Sequence, residues 1–141
     1  MARHENYQKP DAPKTLEELN DCFRGLLRHQ EDNIYYSRHY KQLSQISEKI
    51  CQIQKKVLGD LRDILEETFE NLRQTGLMAP DMIPSQYEYL TQTILSICAY
   101  GIIWGGVNPL ACIWSLIYPI LTEAGKSIYH SKIEKSIGEQ H

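Results

Sequence analysis

The densest group of chemically capable side chains is acidic. Asp60, Asp63, Glu66, Glu67 and Glu70 fall within eleven residues. Asp63 with Glu66 and Glu67 has i, i+3, i+4 spacing, which puts the three carboxylates on one helix face. A transition-metal site would add an imidazole, and no histidine lies within four residues of any of them. The spacing therefore reads as a solvated helix face rather than a metal centre. His29 and His39 bracket Glu31 and Asp32, a set that can be imagined as a ligand group or a general base, or as exposed helix histidines. No Ser, Thr or Cys has a nearby His–Asp pattern. Gly105-Gly106 is followed by Val-Asn-Pro, not by the Lys-Ser of a phosphate loop. The expectation is a protein that is not an enzyme and carries no metal or cofactor.

The cysteines, Cys22, Cys51, Cys98 and Cys112, contain no CxxC pair, so structural zinc lacks its preset corners. Cys98 and Cys112 flank the Gly-Gly turn and can approach each other, as a redox pair or as two core thiols. The N-terminus, MARHENYQKPDAPK, has no apolar stretch of a secretory leader. Reduced thiols and a cytoplasmic location are expected.

The aromatic residues are the second concentration. Tyr89, Tyr100, Trp104, Trp114 and Tyr118 lie in one stretch, Tyr89 to Thr122, that holds no charged residue. Ligand pockets are mostly apolar with few polar groups. Bulky rings beside a glycine pair pack less closely than aliphatic side chains. The expected site is an apolar pocket bordered by Tyr100, Trp104, Trp114 and Tyr118, with Ala99 and Ala111 as the small residues whose enlargement would fill it. A fatty acid or another linear apolar molecule would suit it.

These residues need elements to hold them. Thr15-Leu16-Glu17-Glu18 has capping-box spacing. Leu16, Leu19, Phe23, Leu26 and Leu27 then follow as one helical stripe. From Leu43 the apolar residues run Leu43, Ile46, Ile50, Ile53 and Val57, in steps of three, four, three and four, the heptad pattern. The pattern slips near Gly59 and continues through Leu61, Ile64, Leu65, Phe69 and Leu72. A helix over 34–74 would be about 60 Å long. Such a helix either breaks near Gly59 or protrudes and pairs with another chain. Left uncovered, its stripe exposes too much apolar surface. Leu43, Ile46, Ile50, Ile53 and Val57 are therefore the expected interface of a homodimer.

Thr75-Gly76 and Pro80 end that helix, and GLMAPDMIP connects it to the next. Ser85 with Glu88 is expected to cap the helix that follows. Gly105 to Pro109 separates two apolar helices, and Pro119 shortens the second. Ala124-Gly125 is read as a turn. Ile128, Ile133 and Ile137 mark a short amphipathic C-terminal helix. No segment alternates as a strand does. The apolar arms, Tyr89 to Trp104 and Pro109 to Leu121, would reach only about 24 and 20 Å as helices. A bilayer core is about 30 Å thick. Two buried helices are expected, with a membrane-inserting hairpin as the alternative.

The chain has 141 residues, 42% apolar and 23% charged, with a net charge of −3. That is one domain with a core, and it lacks the basic surplus of a nucleic-acid binder. The expected division is a mobile arm over 1–13 and one all-α domain over 14–141, either globin-like or an irregular helical bundle with one long heptad-patterned helix.

The stretch from Tyr100 through Gly105-Gly106 to Pro109-Leu110 resembles a turn between two helices of phycobiliproteins, whose fold is a relative of the globin fold. That family attaches its bilin through a cysteine near the start of the preceding helix. Here Gln86-Tyr87-Glu88 stands there, so bilin attachment does not carry over. No histidine lies between His39 and His130 to serve as a proximal haem ligand. The resemblance implies a globin-like domain with neither group, a fold that serves some bacterial regulators as a sensor domain. The expected function is a regulatory or sensory protein acting through another protein or an apolar ligand.

Overall fold

A computed structural model describes residues 11–32, 48–101 and 106–138. The described residues are mostly helical and contain no strand. Their one extended pairing is an isolated antiparallel bridge between Met78 and Leu121.

Helix α1, Leu16–Asp32, starts as the capping box requires. The Glu18 amide donates to Thr15 Oγ1 at 3.1 Å. The carboxylate of Glu18 reaches back one residue further than expected, to the Lys14 amide at 3.2 Å. Leu16, Leu19, Phe23 and Leu27 form the buried stripe. Upstream, Pro13 is buried and its carbonyl accepts a hydrogen bond from Asn71. Residues 1–10 of the expected arm lie outside the described residues.

Helix α2, Glu48–Gln74, is 27 residues long, about 40 Å. It runs through Gly59 without a break. Ile64, Leu65, Phe69 and Leu72 are buried. The helix stops where the sequence indicates. Gly76 takes φ +80, and the amides of Leu77 and Met78 both donate to the Leu72 carbonyl. Leu43 and Ile46 lie outside the described residues.

Helix α3, Gln86–Tyr100, does not start as expected. Ser85 has φ 61 and makes no side-chain cap. An N-cap needs extended backbone to aim its oxygen at the helix amides, and a left-handed residue cannot. The connector is closed instead by Gln86, whose Oε1 accepts from the Met82 amide at 2.7 Å.

Helix α4, Pro109–Ile117, has Pro109 in its first turn, as expected. Its cap is Asn108, whose Oδ1 accepts from Leu110 and Ala111 at 3.1 and 3.3 Å. Pro119 ends it in a 3-10 turn over Tyr118–Ile120. The turn expected at Ala124-Gly125 is absent. Thr122 caps helix α5, Glu123–Ile128, which continues through both residues. Gly125 is there for closeness rather than for a turn: a Cβ on it would sit 2.3 Å from the Leu77 carbonyl oxygen. A π-helical turn, Tyr129–Ile133, joins α5 to α6, Glu134–Gly138. Ile128, Ile133 and Ile137 are spaced five and four apart. The π turn absorbs the extra residue, so Ile133 and Ile137 both reach the core.

The core gathers α1, the second half of α2, α3, α4 and the C-terminal helices. Phe23 and Trp114 meet edge to face at 6.1 Å. A buried polar chain ties three elements together at this point. Trp114 Nε1 donates to Asn20 Oδ1 at 3.0 Å, and Asn20 Nδ2 donates to Ser136 Oγ at 2.9 Å. Among the described residues no helix is long and apolar enough to cross a membrane.

Candidate functional site

Helices α2 and α3 run antiparallel. Phe69 packs on Tyr87 at 5.5 Å near one end, and Leu58 shares a groove with Tyr100 near the other. Leu95 and Ala99 of α3 and Gly59 and Arg62 of α2 also line this open groove, of about 420 Å³. Leu58 and Tyr100 are both about half exposed. Helix α3 ends at Tyr100, so the ten α2 residues from Glu48 to Val57 rise about 15 Å beyond that meeting point. Helix α1 is also antiparallel to α2: Pro13 contacts Asn71, and Leu26 shares a second open groove with Leu61. The six residues of α1 after Leu26 reach about 9 Å further along α2. The thirteen residues of α2 before Leu61 extend about 20 Å. Neither helix matches α2 to its start. The backbone of Ile50, Ile53 and Val57 belongs to this helix; their side chains lie outside the described residues.

The residues expected around one apolar pocket stand apart. Ala99 and Tyr100 line the α2–α3 groove. Trp114 is 1% exposed and is committed to Asn20 and Phe23 on the α1 side. Ala111 is partly buried against the core. Tyr118 sits with the C-terminal helices. Trp104 lies outside the described residues. The Nε1–H of Trp114 must be satisfied once buried, and its acceptor is on α1.

From Asp63 onward the acidic stretch is a solvated face, whereas Asp60 is half-buried and its Oδ2 is enclosed without a hydrogen-bond partner among the described residues. Asp63, Glu66, Glu67 and Glu70 are exposed. Hydrogen bonds from Arg73 and then Gln74 hold the Glu70 carboxyl below its ordinary range. No cluster of three or more metal-binding side chains occurs among the described residues. His39 and the side chain of His29 lie outside them. Burial pushes the Cys98 thiol up to about 12, and Cys22 on α1 adds to the shift.

One constellation escaped the sequence reading. His130 Nδ1 lies 2.9 Å from Glu134 Oε2, and His130 Nε2 lies 2.9 Å from Tyr118 Oη. A carboxylate only accepts, so Nδ1 carries the proton and donates to Glu134. In neutral His130, Nε2 then accepts, and the Tyr118 phenol donates to it. Lys126 Nζ stands 5.4 Å from the centre of the Tyr118 ring. Tyr129 fills the space between this chain and Trp114, 5.2 Å from Tyr118 and 5.6 Å from Trp114. Burial, then the Glu134 and Tyr118 charges, push the Tyr129 phenol up. The signal was present in the i, i+4 spacing of His130 and Glu134 and in the five-residue step from Ile128 to Ile133. Tyr118, twelve residues upstream of His130 and across a proline, gave none.

The chain matches no protein-family model, no curated protein and no solved structure.

Proposed function

We propose that this protein is a non-catalytic regulatory module that acts through protein–protein contact, and that its first partner is a second copy of itself. One observation carries this reading: α2 continues unbroken through Gly59 beyond the ends of the helices packed on it. The continuation bears Ile50, Ile53 and Val57 at heptad spacing, and it begins next to half-exposed Leu58. An amphipathic helix that outruns its intramolecular partners gains most by pairing with its own equivalent, since a two-fold contact covers both stripes at once. As part of the same reading, the fold belongs near the haem-free, bilin-free globin-like sensor domains. Support comes from the turn before α4, with Gly106 at φ +75 and Pro109 in the first helical turn. Light scattering on the eluting full chain tests the reading. A mass of twice 16.4 kDa that persists on dilution is expected. A monomer mass at high concentration would overturn it.

A further inference from the structure

We propose that Tyr118 is a nucleophilic tyrosine that takes up activated acyl groups, with His130 as its base and Glu134 as the carboxylate that orients the imidazole. The proposal is independent of self-association. Three observations support it. The hydrogen bonds form an unbroken relay, Tyr118 Oη to His130 Nε2 and His130 Nδ1 to Glu134 Oε2, each 2.9 Å. This is the nucleophile–base–orienter logic of acyl-transfer sites, with a phenol in place of an alcohol. The Lys126 ammonium stands over the Tyr118 ring, 5.4 Å from its centre, and adds a cation beside the relay. The relay is built on the π turn, the one wide turn described in the chain. His130 within it and Glu134 just after it are exposed, while Ile133 stays in the core.

The relay is open to reagents. Tyr118 is partly buried at its ring, and His130 and Glu134 have half-exposed side chains. Against His130 stand Tyr118 on the 3-10 turn and Tyr129 and Glu134 on its own segment, with Lys126 of α5 over the Tyr118 ring. On helix α1, Glu17 pairs with Lys132 of this segment at 3.7 Å. In the reaction the Tyr118 oxygen bonds to the acyl carbon as the bond from that carbon to the leaving group breaks. The phenolic proton passes to His130 Nε2 and then to the departing group. No oxidant or reductant is needed.

The test uses the full chain and N-acetylimidazole, with acetylation of each tyrosine followed by mass spectrometry. Tyr89 is 66% exposed and serves as the internal standard for an unassisted phenol. A positioned base contributes about a hundredfold, so Tyr118 should be acetylated roughly that much faster than Tyr89 near neutral pH. His130→Gln should bring Tyr118 down to the Tyr89 rate, and Glu134→Gln should lower it part of the way. An unchanged helical circular dichroism signal in both variants shows that the fold survives. Tyr118 labelling no faster than Tyr89, or labelling undiminished by His130→Gln, would overturn the proposal.

Discussion

Individual side chains pin this fold where polar groups are buried. Asn20 is 4% exposed and serves both Trp114 and Ser136. Replacing it with Ala strips the acceptor from the buried indole N–H, which costs about 1–3 kcal/mol. Urea unfolding of Asn20→Ala should show a loss of that size; a loss under about 0.5 kcal/mol would mean that water replaces the amide. Nothing in the sequence marks Asn20, because its partners lie 94 and 116 residues away. Cys98 gives a second prediction, on pH. Its folded thiol is pushed up to about 12 from an ordinary 9.0, chiefly by burial. The unfolded chain loses this proton first, so the contribution is fully present below pH 9 and is lost as pH rises toward 12. Burial shifts Cys22 and Tyr87 in the same direction. Melting temperature should therefore fall steeply above pH 9, and less steeply in Cys98→Ala. Parallel pH profiles for the two proteins would contradict the assignment.

Helices show the same contrast between what is local and what is not. Gly125 and Gly25 both occupy helices and look equivalent in the sequence. A Cβ on Gly25 meets nothing within 4 Å, whereas one on Gly125 collides with the Leu77 carbonyl. Gly25→Ala should stabilise the protein by roughly 0.5–1 kcal/mol through backbone entropy. Gly125→Ala should destabilise it by about 1–3 kcal/mol, since the connector must move. Chemical denaturation of both variants checks the pair, and equal effects would refute the close approach. The elements legible in advance were those with local signals: the Thr15 cap, the Gly76 stop, Pro109 in the first turn of α4, and the absence of strands. Ser85 and Gly125 were misread because their roles depend on distant or connector backbone. The glycine at 125 resembles a turn signal until the Leu77 carbonyl is placed beside it. The π turn was written in the five-residue step to Ile133, a spacing that fits neither helix nor strand. Composition locates aromatic rings in a segment without saying which way each turns, so it does not tell which of them share a wall.

At the scale of the whole molecule, the described helices form a core that accounts for the second half of α2 and leaves its first half as the functional question. The acidic face from Asp63 to Glu70 lies on the second half, away from the Ile50–Val57 stripe in the sequence. Pairing there would also explain why the sequence keeps heptad spacing upstream of Gly59, beyond the ends of the described helices packed on α2. The most direct test of this account is sedimentation equilibrium on the wild-type chain and on Ile50→Asp/Ile53→Asp, with circular dichroism recorded on the same samples. The account predicts a dimer for the wild type, and for the variant a monomer that keeps the helical signal of the core. A helical variant that sediments as a dimer would contradict it.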